Sequence, residues 1–207
     1  MKAICLLIIL VVSSAGYSQD ERFYRKMFYG NENHFIENFN HKISVKSPRY
    51  ALDLNRDGIE DFFQTVKKDG VDFIRIMDHF GKIVFERSLM TKGNRSRIFK
   101  AKLKKISNNV DALILYFYDG HNQAVNFEGS ARLYIITIPG RNFSKITLTK
   151  GPYFWTEREK ASGTYWNRRY SVNIIDYNKD GVREISVNYN KSAKILFYAD
   201  NGLWKTF

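Results

Sequence analysis

The chain has 207 residues, a formal net charge of +12 and a single cysteine. One cysteine cannot form a disulfide within the chain, so a disulfide-stapled scaffold is excluded and stability must come from a buried core, with or without a metal. The length suits one domain with such a core. The positive charge is typical of proteins that meet an anionic partner, and more commonly of domains that carry it for solubility alone.

Residues 1–18 are typical of a secretory signal. Lys2 is followed by an apolar run over residues 3–12 and by small residues at 13–16. A run of about 10 residues is too short to span a bilayer, which needs roughly 20. We expect cleavage after Ser18, which also removes Cys5, and a periplasmic or secreted protein with no transmembrane segment afterwards. The alternative is a buried N-terminal strand.

Residues 19–41 show helical spacing. Phe23, Tyr24, Met27 and Phe28 fall on one face, and Gly30 offers a stop. We therefore expect a short helical segment at the N-terminus that packs against a sheet. A partner-binding arm is the alternative interpretation.

Residues 42–207 are predicted to form a single β domain. The aromatic share of 15% and the presence of only three prolines favour strands. Short apolar runs, several with period-two alternation, are separated by turns such as 68–70 and 79–81. The pattern predicts about a dozen strands and a mainly β fold built from antiparallel sheets.

Two acidic loops, 53–61 and 176–184, share the pattern Asp-x-Asn-x-Asp-Gly-x-x-Asp/Glu. Their separation is about twice a blade-sized unit of roughly 50–60 residues. A degenerate third copy at 103–111 has a shortened loop from which most acids are missing. We therefore expect about three related units, of which the middle one has lost its metal.

The acidic loops are predicted to bind Ca²⁺, which takes six to eight oxygen ligands in flexible geometry. Alternate side chains of a tight loop converge, a glycine permits the turn, a backbone carbonyl follows, and an acid at position nine closes the shell. The predicted ligands are Asp53, Asn55, Asp57, Ile59 (carbonyl) and Asp61, and Asp176, Asn178, Asp180, Val182 (carbonyl) and Glu184.

The same spacing argues against other sites. An EF-hand needs its acid at position twelve, Mg²⁺ demands rigid octahedral geometry, and Zn²⁺ prefers the Cys and His that these loops lack. We expect the side chains of Ile59 and Val182 to point inward. A solvated, empty Asx-Gly turn is the alternative, although three added acids would then repel one another without a cation.

Each loop opens a strand, and in this the two loops resemble the calcium loops of FG-GAP/VCBS repeats, the units of integrin-type β-propellers. The resemblance implies a structural, non-catalytic calcium and, as in many members, adhesion or carbohydrate binding. The Phe-Gly and Gly-Ala-Pro signature is present only as Phe80-Gly81. The chain has room for about three units whereas propellers close with roughly four to eight blades, so we expect a truncated propeller or a compact β stack.

Two segments are candidate partner surfaces. Lysines at 100, 102 and 104 alternate with apolar residues, which indicates either a face for phosphate or anionic lipid or a protected edge strand. Residues 151–169 are interpreted as an irregular loop whose aromatics either stack on sugar rings or bases or fold back onto the sheet. The candidate residues are Lys100, Lys102, Lys104, Tyr153, Trp155, Tyr165 and Trp166.

Sequence motifs of catalysis are absent, including Gly-x-Ser-x-Gly, His-Glu-x-x-His and the Walker loop. We therefore expect a non-enzymatic binding or structural module for an anionic or glycan component of the cell envelope, and we do not expect a nucleic-acid partner. Two alternatives stay open. One is a hydrolase of a cell-envelope polymer with unidentified catalytic carboxylates, and the other is a subunit that completes a propeller by self-association.

Overall fold

The computed structural model describes residues 49–91, 93, 96–122, 127–189, 191–199 and 201–206. The predicted signal at 1–18 and the predicted helical segment at 19–41 lie outside these residues. Within them, no helix is long and apolar enough to cross a membrane. Apart from a short 3-10 turn at Phe143–Lys145, the regular elements of the described ranges are strands: β1 (Arg49–Leu52), β2 (Asp61–Lys68), β3 (Val71–Met77), β4 (Ile83–Ser88), β5 (Arg97–Ser107), β6 (Val110–Asn122), β7 (Phe127–Pro139), β8 (Thr147–Glu159), β9 (Tyr165–Arg169), β10 (Ser171–Ile175), β11 (Glu184–Tyr189), β12 (Ser192–Tyr198) and β13 (Trp204–Thr206).

The strands form three antiparallel sheets, and in each sheet neighbouring strands follow one another along the chain. Strands β1–β4 make the first sheet, β5–β9 the middle sheet and β10–β13 the last sheet. This architecture confirms the predicted mainly β fold of three antiparallel units. The relation to propeller repeats remains a prediction.

The middle sheet carries much of the core. Residues 110–118 of β6 are all buried, as is typical of a strand covered on both faces. Tyr134 and Thr137 of β7 lie on opposite faces because they are three residues apart. The Tyr134 hydroxyl donates to the carbonyl of Leu89, just after β4, at 2.5 Å. On the other face, Trp204 Nε1 of β13 donates to Thr137 Oγ1 at 2.9 Å, so the first and last sheets pack on opposite faces of the middle sheet.

The first sheet shows how alternation places its core face. Along β2, Asp61, Phe63 and Thr65 are buried, whereas the residues between them are half-buried. Tyr50 stacks on Phe63 with ring centroids 5.0 Å apart, and its hydroxyl donates to the Ile98 carbonyl of β5 at 3.2 Å. Burial of a side chain such as Phe63 contributes about 1.5–3 kcal/mol to stability. The acid that opens β2 therefore lies on the buried face.

The connection between the first and second strands differs among the sheets. It is an acidic loop in the first and last sheets but a two-residue turn, Asn108–Asn109, in the middle sheet. The short turn agrees with the shortened loop predicted at 103–111. The Arg183 N–H donates to the Ile106 carbonyl at 3.0 Å, which joins the loop of the last sheet to the hairpin of the middle sheet.

The prediction of an irregular loop at 151–169 was wrong. Most of this stretch belongs to β8 and β9, which form an antiparallel hairpin. Trp155 pairs with Arg169 at its open end, and Glu159 pairs with Tyr165 next to the tip. The tip alone is irregular, and it contains Gly163 at a φ of +78°. Its aromatic residues, which are common in strands, were misread because charged residues interrupt the alternation.

Candidate metal centre

The loop at 53–61 is folded by its own acids and amides. Asp53 accepts hydrogen bonds from the backbone N–H of Asp57 and of Gly58, both at 3.0 Å. Asn55 Oδ1 also accepts from the Asp57 N–H at 3.1 Å, and Asn55 Nδ2 donates to Asp57 Oδ2 at 2.7 Å. Asp57 Oδ1 in turn accepts from the Ile59 N–H at 2.9 Å. These bonds wrap the chain around its side-chain oxygens.

The loop at 176–184 repeats this pattern residue for residue. Asp176 accepts from the N–H of Asp180 at 3.2 Å and of Gly181 at 3.0 Å. Asn178 accepts from the Asp180 N–H at 3.2 Å and donates to Asp180 Oδ2 at 2.8 Å. Asp180 Oδ1 accepts from the Val182 N–H at 2.7 Å. The shared pattern therefore encodes one loop conformation twice.

Both loops use the left-handed backbone region at the same two places. The φ angles are +58° at Arg56 and +89° at Gly58, and they are +62° at Lys179 and +87° at Gly181. A Cβ added at Gly58 or at Gly181 would meet nothing within 4 Å, so the glycines are required by conformation and not by space. A non-glycine residue in this region costs about 1–2 kcal/mol, which the surrounding hydrogen bonds must offset.

The acid at position nine closes each loop from the buried side. Asp61 is fully buried and its Oδ2 accepts from the Leu54 N–H at 3.1 Å. Glu184 is 2% exposed and its Oε2 accepts from the Tyr177 N–H at 2.7 Å. Each acid is the first residue of the second strand of its sheet. Strand pairing thus fixes the position of the closing acid at the buried side of the loop.

Hydrogen bonds satisfy the Asp61 carboxyl only in part. Its Oδ1 is buried and receives no hydrogen bond from the described residues. Burial raises the pKa of the Asp61 carboxyl, the Leu54 hydrogen bond opposes this shift, and the charge of Asp57 adds to it. At the rim, the hydrogen bond from Asn55 lowers the pKa of Asp57, with a further contribution from the Ile59 N–H. A bound cation would supply the partner that Asp61 Oδ1 lacks.

Three acids of the last sheet can hold a metal ion. Oxygen atoms of Asp176, Asp180 and Glu184 all lie within 4.8 Å of one another. Because Ca²⁺–oxygen distances are about 2.3–2.6 Å, ligands around one ion fall within such a span. Among the described residues no other group of three acids meets this limit; the first loop has Asp61, one methylene shorter, where the last loop has Glu184.

The remaining predicted ligands are the loop asparagines and the carbonyls that follow the glycines, and they are not part of the acid cluster. Asn55 and Asn178 hydrogen-bond within their own loops and shape them. Ligation by the carbonyls of Ile59 and Val182 stays a prediction. The expectation that the Ile59 side chain points inward was wrong, because that side chain is 50% exposed; Val182 is half-buried.

The aromatic candidates separate into two groups. Trp155 is buried and cannot present its ring to a partner, so its prediction was wrong. Tyr165 is half-buried and its hydroxyl donates to Glu157 at 2.7 Å. Tyr153 and Trp166 are 45% and 48% exposed. The register shift that pairs Ala131 with Trp155 but the next residue, Arg132, with Tyr153 explains why rings two positions apart face opposite ways.

The lysine candidates lie on β5, an edge strand of the middle sheet, in agreement with the edge-strand interpretation. Lys100 is exposed, whereas Lys102 and Lys104 are half-buried. The ammonium groups of Lys100 and Lys102 lie 5.3 and 5.8 Å from the Tyr116 ring centroid. Although much of the Lys100 side chain is exposed, partial burial of its ammonium group lowers the pKa of Lys100, and the neighbouring charge of Lys102 adds to this shift. These lysines cover an aromatic surface and do not form one open cationic patch.

Sequence reasoning missed an arginine–aspartate contact beside the first loop. Arg56 Nε and a terminal guanidinium nitrogen lie 2.9 and 2.8 Å from Asp111 Oδ1. Arg141 Nε lies 3.7 Å from Asp111 Oδ2. Asp111 is 2% exposed. Its position at the end of segment 103–111, interpreted from the sequence as a degenerate copy, was the signal that could have identified it.

Comparison of the chain with protein-family models, with curated proteins and with solved structures finds no match.

Proposed function

We propose that this chain is an exported calcium-binding β protein, a non-catalytic binding or structural module in which loops 53–61 and 176–184 each hold one Ca²⁺. The observation that carries the proposal is the repeated loop. The same six hydrogen bonds occur in both loops, and one of the loops gathers three acids that can hold a metal ion.

The chemistry of the donors favours Ca²⁺. The sites offer carboxylates, amide oxygens and backbone carbonyls on short exposed loops, and hard oxygen ligands in irregular geometry suit Ca²⁺ better than Mg²⁺ or Zn²⁺. Extracellular calcium modules bind with dissociation constants of about 10⁻⁴–10⁻³ M. At one hundred times the dissociation constant, one site adds about 2.7 kcal/mol to the free energy of unfolding.

Thermal unfolding tests the proposal. The full chain is melted in EDTA, in calcium and in magnesium, beside Asp57→Ala, Asp180→Ala and the double variant. We expect calcium to raise the melting temperature, each single variant to lose part of the gain, and the double variant to lose all of it. An unchanged melting temperature with calcium would mean that the loops are only acidic turns.

Asp69→Ala is the matched control for these variants. Asp69 is an acid in the tight turn between β2 and β3, at the end of the first sheet away from loop 53–61, and its φ angle is +50°. We expect Asp69→Ala to lower the melting temperature in EDTA, because alanine disfavours this conformation more than aspartate does, and to leave the calcium-dependent gain unchanged. Loss of that gain in the control would show that the gain does not come from the two loops.

The exposed aromatic residues support a partner surface for an anionic glycan. Strand register places Tyr153 and Trp166 on one face of the middle sheet. Tyr153 pairs with Arg132, whereas Trp166 pairs with Arg158, which in turn pairs with Glu128. Glu128 and Arg132 are four residues apart on β7, so their side chains and those of their cross-strand partners point to the same face. Arg132 lies 3.9 Å from the Tyr153 ring centroid. Rings next to guanidinium groups suit stacking on sugars that carry acid groups.

Binding of a soluble acidic polysaccharide, compared with a neutral one, tests this surface. Trp166→Ala is expected to weaken binding about tenfold, a loss within the stacking range of about 1–3 kcal/mol. Phe80→Ala removes a ring that is 84% exposed in the turn between β3 and β4 of the first sheet and should have no effect. The alternative of an envelope-polymer hydrolase predicts turnover of the polymer; binding without turnover supports the module.

A further inference from the structure

Arg56 lies inside the first acidic loop, between the predicted ligands Asn55 and Asp57. Its backbone takes the left-handed conformation, and its guanidinium reaches Asp111 in the middle sheet. The backbone of Arg56 is thus part of the loop turn, while its side chain extends out of the loop to the middle sheet.

Asp111 lies one residue further into its strand than the closing acids of the other two sheets. Leu52 pairs with Asp61, Ile175 with Glu184, and Lys105 with Asp111, each beside the connection between first and second strands. All three acids are buried. In the first and last sheets the connection supplies further acids, whereas the two-residue turn of the middle sheet supplies none. There the compensating charge comes from arginines, chiefly Arg56.

We infer that Arg56 couples cation binding in loop 53–61 to Asp111, so that a divalent cation in this loop fastens the first sheet to the middle sheet. This inference rests on the proposed function. Lys179 is the equivalent of Arg56 in loop 176–184; it is exposed, and within the described ranges it has no ion pair. The last loop therefore binds its cation without this coupling.

Two physical effects make the Arg56–Asp111 contact favour calcium binding in the first loop. The loop hydrogen bonds set the backbone conformation at residue 56, and contact with Asp111 anchors its side chain, which adds to the preorganisation of the ligands on either side. The Asp111 carboxylate also neutralises a guanidinium that would otherwise repel the cation. Both effects raise calcium affinity, and by reciprocity bound calcium strengthens the Arg56–Asp111 contact by the same factor.

Calcium titration by calorimetry tests the coupling in the full chain with Asp180→Ala, which silences the last loop. Asp111→Asn in this background is expected to weaken calcium binding by about fivefold or more, the lower end of common coupling energies. The matched control is Asp72→Asn, which removes another buried acid, one whose Oδ1 lies 3.3 Å from Lys67 Nζ. The control should change the affinity less than about twofold.

Arg56→Lys provides a second variant if Asp111→Asn does not fold. The Arg56 side chain is 40% exposed, so lysine is tolerated, keeps the positive charge and loses the forked contact. It too should weaken binding. Equal affinities in the parent and in the variants, or an equal loss in the Asp72→Asn control, overturn the coupling.

The failure of the coupling and the failure of the proposed function are distinguishable. If Asp180→Ala binds no calcium while Asp57→Ala still binds it, the first loop holds no ion; the coupling then falls and the proposed function stands on the last loop. If neither variant binds calcium, the proposed function itself falls.

Discussion

Loops 53–61 and 176–184 adopt the same conformation in different surroundings. In the first loop Leu54 is fully buried and Arg56 is paired with the middle sheet. At the equivalent positions of the last loop, Tyr177 is 45% exposed and Lys179 is exposed. The local pattern of acids, amides and glycines therefore determines the backbone conformation of the loop. The neighbouring sheet determines which loop residues are buried and which form ion pairs. The two loops can be changed in parallel to separate these contributions.

The largest expected effect is loss of the calcium response of the first loop in Asp61→Asn. The variant keeps an acceptor for the Leu54 N–H but removes the carboxylate that the proposed cation would bind. We expect the first loop to lose its calcium-dependent gain of about 2.7 kcal/mol at saturating calcium, as measured by denaturant unfolding with the last loop silenced by Asp180→Ala. In EDTA the variant should be at least as stable as its parent, because an incompletely compensated buried charge is gone. A calcium gain equal to that of the parent would contradict the role of Asp61.

Glu184→Asp should have the next largest effect, because it gives the last loop the closing acid of the first. The shorter side chain withdraws its oxygen from the cluster with Asp176 and Asp180. With the first loop silenced by Asp57→Ala, we expect calcium affinity to fall about tenfold, or about 1.4 kcal/mol. An unchanged affinity would show that the difference between the two closing acids does not matter for the metal.

Gly58→Ala and Gly181→Ala should each cost about 1 kcal/mol in EDTA. Both positions have positive φ angles and open space, so the cost is a backbone cost and should be nearly equal in the two loops. Chemical denaturation measures it. A clearly larger cost at Gly58 would mean that the contact of the first loop with the middle sheet also depends on this glycine.

The smallest expected effect is a pH dependence that belongs to the first loop. Burial raises the pKa of Asp61 above its ordinary value of 3.8, so the folded protein binds this proton more tightly than the unfolded chain does. In EDTA the contribution of Asp61 to stability therefore declines as pH rises from that ordinary value through the raised pKa. The parent should become less stable relative to Asp61→Asn over this window. A difference that is constant with pH would contradict the buried-charge account.

Much of the fold could be predicted from the sequence because its signals are local. Alternating apolar residues, an Asp69–Gly70 turn and the two acidic loops each depend on a few neighbouring residues, and three antiparallel sheets of local hairpins follow from them. Burial was harder to predict. Trp155 and Tyr153 are two residues apart, and a register shift that no local pattern announces sends one inward and the other outward.

The candidate site shows the same limit. The loop hydrogen bonds join residues at most seven positions apart, and the sequence pattern predicted the side chains that take part. The contact of Arg56 with Asp111 spans 55 positions and depends on how two sheets pack. It could be predicted only in outline, from the lone acid that follows a shortened loop.

The position of the middle sheet between the other two has a consequence for how the protein opens. Its central strands are covered on both faces, whereas the first and last sheets each pack against the middle sheet through one face only. Amide hydrogens of β6 and β7 should therefore exchange with solvent last, and those of the outer sheets earlier and in separate steps. If the two loops hold calcium as proposed, its withdrawal would loosen the outer sheets before the middle sheet, and proteases would cleave the outer sheets first.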